Sequence, residues 1–401
     1  MNNSCDVFVI GGGVSGVAAA VASARRGVKT VLAEKENYLG GTGYAGLFQY
    51  ICGLYLNSDT FPTETLNRGI VREIVTLLNN LSPHRTIKKI GQVYVLPYSR
   101  EDLRSVIISL YSQESNLTIF YDTTVISIKK KNMKIIEVVV NHRGTFRNIA
   151  PKIVIDCSGS GAISAMAGAS FELSPPERLQ LAGYTIRLKG LTARDETLPI
   201  KVPYYLAKGV KKRILSPYLR FSTFSLGDTP DEGYCKISID GADSIEREEM
   251  AKKDALIVHG YLAKTLPSLK ESYIAETSMS VMDREGRRVC GEYTLTEDDV
   301  LNARKFDDGV VKNSWPIELW DKNKGTIYKY VKSGDYYEIP FRCLKVKGIS
   351  NLLCAGRCIS VSHGALGSTR VMGTCMAMGE QAGRAAAYYI RKGNYPVVKK
   401  Q

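Results

Sequence analysis

Hydrophobic and polar residues follow each other in blocks along the first 34 residues, and these blocks predict a strand, a helix and a second strand. Asp6–Ile10 is a short apolar run typical of a buried strand. Val17–Arg26 is rich in alanine and indicates a helix that Gly27 ends. Val28–Ala33 is a second buried run, and Glu34 stands at its end. Together the blocks predict one complete βαβ unit.

The next part of the chain predicts two helices followed by several strands. Helices are expected near Asn67–Leu78 and over Ser99–Tyr111, where Ser99 caps the helix and Asp102 stands three residues on. The expected strands are Leu117–Tyr121, Thr124–Lys129, Lys134–Asn141, Gly144–Ile149 and the buried Lys152–Asp156. The run Lys129–Lys131 is expected in a solvated hairpin between two of these strands.

Residues 172–340 differ from the rest of the chain. They hold many of the tyrosines, prolines and charged residues and show no βαβ rhythm. A buried strand is expected again at Leu352–Ala355, followed by one long alanine-rich helix over Thr369–Arg391. The pattern therefore predicts a second lobe inserted into the first.

A glycine-rich segment joins the first predicted strand to the helix. It has the pattern G-x-G-x-x-G, in which the first glycine permits a tight turn, the second lets a pyrophosphate approach the backbone, and the third lets helix and strand pack closely. The helix N-terminus favours the phosphates, and Glu34 would accept hydrogen bonds from the adenosine ribose. A glycine-rich turn in an unrelated α/β fold is the alternative. The residues predicted to bind a dinucleotide here are Gly11, Gly13, Val14, Ser15, Gly16, Glu34 and Lys35.

Three further glycine-rich segments are candidates for the same site. Gly40–Gly43 lies just beyond Glu34, Asp156–Gly161 ends a buried strand, and Ala355–Ser360 ends the last strand. Successive backbone N–H groups in such loops bind anions, although Gly40–Gly43 would also suit a flexible surface loop. The additional residues predicted to bind the cofactor are Gly40, Gly41, Thr42, Gly43, Gly159, Gly161, Gly356, Arg357, Arg370 and Val371.

Motifs farther along the chain resemble those of a known family. Arg287–Asp299 has the pattern R-R-x-x-G-x-Y-x-L-T-x-x-D, Tyr337–Arg342 looks like Y-x-I-P-Y-R, and Gly356–His363 has the pattern G-R-x-I-S-x-x-H. With the N-terminal fingerprint, these segments resemble the FAD-dependent oxidoreductases of the glutathione-reductase-like superfamily. The resemblance implies one FAD, held non-covalently, and hydride transfer to or from a small polar, perhaps anionic, organic substrate.

The resemblance covers both ends of the chain and residues 283–383, whereas residues 172–280 match little of it. Ser160 stands where the family's internal D-x-T-G-D-G turn carries aspartate, so a catalytic part for that position is in doubt. The helix after the last strand would direct its N-terminus at the flavin pyrimidine ring.

The predicted fold class is α/β, with a three-layer FAD/NAD(P)-binding, Rossmann-like domain and an inserted, mostly β or α+β substrate domain. The FAD-binding domain is expected to consist of residues 1–171 and 341–401. The substrate domain, which would cap the flavin, is expected to consist of residues 172–340.

The candidate catalytic residues are His363, Arg370 and Arg288. His363 could act as a general base near the flavin, or could only hydrogen-bond the backbone of a tight loop. Arg370 could face the flavin or an anionic substrate, or could be a structural arginine at a helix start. Arg288 belongs to a charged cluster that could bind a carboxylate or phosphate, or could tie the inserted lobe to the rest. That cluster also contains Asp283, Arg284 and Arg287.

The formal net charge of +14 at pH 7 indicates a basic surface. Such a surface suits an acidic substrate, an acidic redox partner or nucleic acid, but also serves solubility alone. The basic residues are spread out, apart from Lys129–Lys131 and the group Lys208, Lys211, Lys212 and Arg213. The lack of a long basic tract and of an RNA-binding module argues against nucleic acid as a partner.

The remaining composition favours a cytoplasmic protein without a membrane partner. No apolar run approaches the roughly 18–20 residues that span a bilayer, and the N-terminus lacks a secretion signal. The nine cysteines are expected to be reduced and largely buried, with Cys354 and Cys358 as an alternative redox pair. Four histidines without a Cys/His cluster predict no metal site.

Several function classes stay open at this point. The chain shows no second glycine fingerprint in a βαβ unit, so no built-in NAD(P)H site is expected, and no CxxC beside the flavin loop, so no disulfide reductase is expected. An RNA-modifying flavoprotein, a flavin-dependent hydroxylase or halogenase, and a flavin-binding protein without activity are the alternatives to a dehydrogenase or reductase.

Overall fold

The structure, a computed structural model, describes residues 3–192, 195–241 and 243–396. The strands are β1 (Asn3–Ile10), β2 (Thr30–Ala33), β3 (Tyr50–Ile51), β4 (Lys88–Ile90), β5 (Val93–Pro97), β6 (Leu117–Phe120), β7 (Thr123–Lys131), β8 (Lys134–His142), β9 (Thr145–Asp156), β10 (Phe171–Glu172), β11 (Ala182–Lys189), β12 (Thr223–Leu226), β13 (Glu232–Ile239), β14 (Tyr273–Thr277), β15 (Arg288–Val289), β16 (Gly309–Asn313), β17 (Ile317–Asp321), β18 (Gly325–Lys329), β19 (Tyr337–Pro340) and β20 (Leu352–Cys354). The helices are α1 (Val14–Ala24), α2 (Thr42–Ala45), α3 (Ile70–Leu81), α4 (Arg100–Ser112), α5 (Ala162–Met166), α6 (Leu198–Lys211), α7 (Ser244–Thr265), α8 (Glu297–Leu301), α9 (His363–Thr369) and α10 (Met372–Lys392).

A seven-stranded sheet organises the larger part of the molecule. Strands β6, β2, β1, β9 and β20 lie side by side and run parallel. Strands β7 and β8 continue the sheet as an antiparallel meander along the first part of β9. The predicted βαβ start is confirmed as β1, α1 and β2, and the predicted α/β, Rossmann-like fold class is confirmed with it.

Helices α1 and α10 cross in close contact beside this sheet. A Cβ atom on Gly379 would lie 2.0 Å from the carbonyl oxygen of Ser15, and one on Gly383 would lie 2.2 Å from that of Ala19. Only glycine therefore lets the two helix backbones approach this closely. The crossing sets the N-terminus of α10 near that of α1.

Two predictions about element boundaries are wrong. The expected strands Gly144–Ile149 and Lys152–Asp156 are one strand, β9, because β1 pairs with it without interruption from Ile149 to Asp156. On its other side, β9 pairs first with β8, up to Ile149, and then with β20, from Val154. Pro151 lies between these two stretches and pairs with neither strand, so the N–H group that proline lacks is not needed there.

The expected single helix Thr369–Arg391 is also wrong. It is divided into α9 and α10, since Val371 has an extended backbone with φ −71° and ψ 152°. Arg370 therefore lies at the junction of the two helices, and its side chain points towards Arg284 and Glu318.

Two hydrophobic cores mark two lobes. The larger core joins buried residues from both ends of the chain and from the stretch between Val289 and Ile339. The smaller core lies between residues 182 and 281, around the four-stranded sheet β12-β13-β11-β14 and helices α6 and α7. The domain limits 172–340 stay a prediction, and we propose from the cores that the inserted lobe is confined to about residues 182–281.

Several smaller features agree with the predictions from the sequence. The Ser99 side chain accepts a hydrogen bond from the Asp102 N–H, which confirms the predicted cap of α4. All nine cysteines are free and seven are buried, as expected, so Cys354 and Cys358 form no disulfide. Among the described residues, no helix is both long enough and apolar enough to cross a membrane.

Candidate active site

The four predicted glycine-rich segments meet at the carboxyl edge of the parallel strands. The Gly40 N–H donates to the Gly12 carbonyl at 2.8 Å, which places Gly40–Gly43 against the first glycine loop. A Cβ on Gly356 would lie 3.2 Å from the Cβ of Ser15. The Arg357 Nε donates to the Gly159 carbonyl at 2.7 Å. Segments that are far apart in sequence therefore surround one cradle.

The three fingerprint glycines differ in what excludes a side chain. A Cβ on Gly11 would lie 2.4 Å from the Cys157 carbonyl oxygen, and one on Gly16 would lie 1.7 Å from the Gly11 carbonyl oxygen. A Cβ on Gly13 would meet no protein atom within 4 Å, and its φ of −63° suits any residue. The space above Gly13 thus fits a pyrophosphate that approaches the backbone.

Two helices offer uncapped N-termini to this cradle. Helix α1 begins after Gly13 and α10 after Val371, and neither N-cap provides a side-chain acceptor. By contrast, α9 is capped by the Ser362 hydroxyl. Free N–H groups and the positive end of a helix favour anionic or electron-rich groups. The two helix starts approach each other at Gly43, whose Cβ would lie 2.9 Å from the sulfur of Met372 and 3.5 Å from Val14.

Glu34 lies at the opposite end of the cradle. Its Oε2 accepts a hydrogen bond from the Gly12 N–H at 2.5 Å, and its Oε1 accepts from the Glu36 N–H at 3.0 Å. Burial raises the pKa of Glu34 above its ordinary value, although both N–H groups favour the carboxylate. Backbone N–H groups thereby fix both oxygens of the carboxylate, whereas the neighbouring Lys35 is exposed and pairs with Glu36.

The internal turn is stabilised by Asp156 rather than by a residue at position 160. One carboxylate oxygen of Asp156 accepts from the Ser158 N–H and hydroxyl, and the other accepts from those of Ser164. Gly161 has a φ of +62°, which favours glycine at the start of α5. The turn therefore keeps its shape with Ser160 in place of aspartate.

A cationic cluster, in which Arg284 is buried and the other charged groups are half-buried, lies next to the start of α10, and the sequence analysis did not identify it as a unit. It consists of Lys236 on β13, Arg284, Arg370 and the carboxylate of Glu318 on β17. Trp320 is at its centre, with the Arg284 guanidinium 3.9 Å and the Lys236 Nζ 4.6 Å from the indole ring centroid. The indole Nε1 donates to Glu318 at 2.7 Å.

Both arginines of the cationic cluster are held by backbone carbonyls. Arg370 donates to the Arg284 carbonyl at 3.2 Å and to the Glu318 carbonyl at 2.9 Å. Arg284 donates to the Leu181 carbonyl. The cluster therefore joins the flavin-side helix junction to the inserted lobe, which contains Leu181 at its border and Lys236 in its sheet.

The electrostatics of the cationic cluster favour an added negative charge. Burial, with the nearby positive charge of Arg284, lowers the pKa of Lys236 to about 7. Burial and Arg370 lower the pKa of Arg284 to about 9. Although burial opposes the charge of Glu318, Arg370 and Lys236 hold the pKa of that carboxyl below its ordinary value. Three basic groups face Glu318, and Glu285 is a second carboxylate that acts on Arg370. The cations still outnumber the carboxylates, so an anionic ligand would reduce their repulsion.

His363 and Arg288 belong to a second group, which adjoins the cationic cluster through Glu285, a carboxylate that also acts on Arg370. His363 Nδ1 lies 2.9 Å from Glu285 Oε2 and 3.2 Å from the Ser174 hydroxyl. Arg288 donates to the same Ser174 hydroxyl at 3.0 Å and lies 3.4 Å from Glu172. Burial opposes the charge of Glu285, but the hydrogen bond and charge of His363 hold its pKa below the ordinary value. Arg288 thus supports the partner of His363 and does not reach the cationic cluster.

A cavity of about 360 Å³ lies between the two lobes. It is lined by Phe48 from the larger lobe, Tyr234 from β13, and the arginines Arg85, Arg100 and Arg187 among others. The Phe48 ring centroid is 5.7 Å from Lys236 Nζ. Phe48 thus contacts both the cavity and Lys236, whereas the charged residues of the cationic cluster do not line the cavity.

The sequence pattern of one protein family, described as FAD dependent oxidoreductase, matches residues 6–398. The chain belongs to the FAD-dependent oxidoreductase family. This membership agrees with the open cradle at Gly13, the fixed carboxylate of Glu34 and the two uncapped helix starts. FAD is accordingly the cofactor, and the chain is an oxidoreductase of this family.

Curated relatives match this family member only in part. A 4-oxocyclohex-2-ene-1-carboxylate 5-dehydrogenase from Sinomonas cyclohexanicum is 35% identical over 81 residues, which is 20% of this chain and 12% of that protein. A D-erythritol 1-phosphate dehydrogenase from Brucella abortus is 34% identical over 102 residues, or 25% of this chain and 18% of that protein. The chain thus matches less than a fifth of either relative.

Solved flavoprotein structures show the same fold as this FAD-dependent oxidoreductase. A geranylgeranyl bacteriochlorophyll reductase-like protein from Thermoplasma acidophilum aligns with a TM-score of 0.51 and 13% identity over 99% of this chain and 81% of its own. An anhydrotetracycline hydroxylase from Streptomyces rimosus aligns with a TM-score of 0.55 and 11% identity over 97% of this chain and 63% of its own. A flavin-dependent brominase aligns with a TM-score of 0.54 and 12% identity over 98% of this chain and 82% of its own. At these identities the likeness establishes the fold alone.

Proposed function

We propose that this protein transfers a hydride between its FAD and a small organic substrate that carries a carboxylate or phosphate. The observation that carries the proposal is the partly buried cationic cluster beside the start of α10. Three basic groups lie there near the carboxylates of Glu318 and Glu285, and withdrawing this excess of positive charge from water costs free energy unless an anion joins it. A substrate anion held there would lie next to the part of the cradle that is expected to hold the flavin ring.

The residues of the cradle have distinct roles in this proposal. Glu34 would bind the adenosine ribose, and the backbone at Gly13 with the start of α1 would bind the pyrophosphate. The start of α10 at Val371 would face the flavin pyrimidine ring. When bound, FAD supplies the acceptor or donor for the hydride. Arg284 and Arg370 would bind and orient the substrate anion, and the closed lobes would exclude water.

The names of the two curated relatives support this substrate class. One acts on a carboxylate and the other on a phosphate, by their printed names. The matched stretches are short, so they support an anionic substrate in general and neither compound in particular. We further propose that the chain has no nicotinamide site and belongs to the glutathione-reductase-like branch, with support from its single glycine fingerprint and the G-R-x-I-S-x-x-H segment.

The proposal is tested by anaerobic titration of the FAD-loaded protein with small carboxylates and phosphate esters, followed through the flavin absorbance. Each acid is paired with its neutral methyl ester or dephosphorylated alcohol. We expect an acid to bleach the flavin and its neutral counterpart to fail. Bleaching by neutral compounds only would contradict the anionic substrate, and rapid oxygen-dependent NADPH consumption would favour a hydroxylase instead.

Substitution of Arg284, one of the two arginines of the cationic cluster, tests the anion site, and substitution of Arg220 is the matched control. Arg284→Met should weaken binding of the bleaching acid by roughly 10–100-fold, because a hydrogen bond to a charged group contributes about 1.5–3 kcal/mol. Arg220 stacks on Phe221 at 4.6 Å, is exposed and donates to the Asn323 carbonyl rather than to a residue of the cluster, so Arg220→Met should leave binding unchanged. Equal effects of the two substitutions would contradict the assigned anion site.

A further inference from the structure

Lys236 differs from the two arginines of the cationic cluster in having no hydrogen-bond partner. Arg284 and Arg370 both donate to backbone carbonyls. Within residues 3–192, 195–241 and 243–396, the Lys236 Nζ has no acceptor within hydrogen-bond distance and no carboxylate within 4 Å. Its contacts are instead the ring faces of Trp320 at 4.6 Å and Phe48 at 5.7 Å.

The surroundings of Lys236 disfavour its protonated form. The groups that face it are Arg284 on one loop, Glu318 and Trp320 on β17, Arg370 at the helix junction, and Cys52 and Phe48 near β3. Two of these groups are cations and one is a carboxylate. Removal from water together with the charge of Arg284 lowers the lysine pKa to about 7, although the ring faces of Trp320 and Phe48 favour the ammonium.

We propose that Lys236 is the proton acceptor for the substrate, a role that rests on the proposed function. Oxidation of a substrate alcohol breaks its C–H and O–H bonds and turns the C–O single bond into C=O. FAD, when bound, would supply the acceptor for the hydride and its two electrons, and Lys236 Nζ would take the O–H proton. The half-buried ammonium would then lose this proton to water.

The position of Lys236 suits this step better than an anchoring role. An anchoring lysine is a point charge that keeps its proton, whereas this amine is close enough to two fixed arginines for their positive charge to lower its pKa. A free amine close to the anion site can take up a proton without breaking an existing hydrogen bond. The mechanism thus separates binding by Arg284 and Arg370 from proton transfer by Lys236.

The test uses the FAD-loaded protein with the substitutions Lys236→Met and Lys236→Arg. For each variant, the rate of anaerobic flavin bleaching and the substrate dissociation constant are measured separately from pH 5 to 10. We expect both substitutions to slow bleaching about 100-fold or more, to remove the rise in rate around pH 7, and to change the dissociation constant less than about tenfold. Recovery of the rate in Lys236→Arg, or loss of binding with an unchanged rate, would overturn the proposal.

Lys89 provides the matched control. It also lies over an aromatic ring, that of Tyr94 at 5.3 Å, but it is exposed on β4 and is not part of the cationic cluster. Lys89→Met should therefore leave the bleaching rate, its pH dependence and substrate binding unchanged. A pH dependence altered in the same way in this variant would overturn the assignment to Lys236.

A second readout does not depend on turnover. In the FAD-loaded protein with ¹³C-labelled lysine, the Cε resonance that is missing from Lys236→Arg should titrate with a midpoint near pH 7, against about 10.4 for ordinary lysines. A midpoint near 10 would overturn the proton-acceptor role even if the anionic substrate is confirmed. Conversely, a midpoint near 7 in a protein whose flavin no acid bleaches would contradict the proposed function and leave the lysine an unused base.

Discussion

Gly13 and Gly16 belong to one motif, but they are glycine for different reasons. Gly16 is required by the protein, because its Cβ would overlap the carbonyl of Gly11. Gly13 is not, because its backbone angles and its surroundings would accept alanine. We therefore expect a side chain at position 13 to change the free energy of FAD binding, and a side chain at position 16 to change the free energy of unfolding.

Substituting each glycine by alanine should separate these two contributions. Gly13→Ala should leave the melting temperature of the FAD-free protein within about 2 °C of the wild type but weaken FAD binding at least about tenfold, since the methyl group occupies the space of the pyrophosphate. Fluorescence titration of FAD and a thermal scan measure both quantities. Gly16→Ala is the contrasting variant and should fail mainly in stability; a Gly13→Ala protein with normal FAD affinity would contradict the role of the cradle.

Lys236 has a consequence for stability as well as for chemistry. Its pKa is about 7 in the folded protein and about 10.4 in the unfolded chain, so between these values the unfolded chain binds the extra proton. The free energy of unfolding of the wild type should rise with pH through this window relative to Lys236→Met. The variant should be the more stable protein at pH 7, by about 1–4 kcal/mol, and should lose that advantage near pH 10. Urea denaturation at pH 7, 8.5 and 10 measures the difference, and a constant difference would contradict the lowered pKa.

The sequence predicts much of the cofactor cradle and little of the substrate side. The glycine fingerprint and Glu34 are recognisable because a short segment fixes their geometry. The cationic cluster draws single residues from four distant segments, at Lys236, Arg284, Glu318 and Arg370, and no spacing rule links them. Of these, only Arg284 and Arg370 attract attention in sequence, because they adjoin motifs. Lys236 becomes visible only when β13 places it over Trp320.

At the scale of elements, the crossing of α1 and α10 depends on glycines that a helix would otherwise disfavour. Gly→Ala within a helix normally stabilises by roughly 0.5–1 kcal/mol. Gly383→Ala should instead destabilise by about 1–3 kcal/mol, because its Cβ would lie 2.2 Å from the Ala19 carbonyl oxygen and would push the helices apart. Urea denaturation at neutral pH measures the effect.

Gly260 in α7 provides the control for this substitution. Its Cβ would meet no atom within 4 Å, so Gly260→Ala should follow the ordinary helix preference and stabilise slightly. Destabilisation of the same size in both variants would show that the crossing of α1 and α10 is not the cause.

The sequence predicts helices and strands correctly where one periodic pattern spans one element. It predicts their boundaries wrongly where contacts between distant segments determine where an element begins or ends. The βαβ start and α4 with its Ser99 cap depend on local sequence and are confirmed. The continuity of β9 through Pro151 depends on its pairing with β1, which residues 145–156 do not encode alone. The break before α10 likewise depends on Arg370 reaching the Arg284 and Glu318 carbonyls.

At the scale of the whole molecule, FAD should stabilise the fold because its cradle joins both ends of the chain. Removing FAD should lower the melting temperature by several degrees, since saturation at about 100 times the dissociation constant contributes about 2.7 kcal/mol. FMN provides the control, because it lacks the adenosine that Glu34 would bind and should restore less of the loss. Equal stabilisation by FMN and FAD, measured by thermal scans at matched concentrations, would contradict the assignment of Glu34.

The pairing of β9 with β20 also bears on how the protein can be made. Val154 lies opposite Leu352, so the end of β9, Val154–Asp156, has no second neighbour until the ribosome has added nearly 200 further residues. At about 5–20 residues per second, that interval is roughly 10–40 s. During synthesis the nascent chain therefore keeps this short apolar edge unpaired for longer than most small domains take to fold.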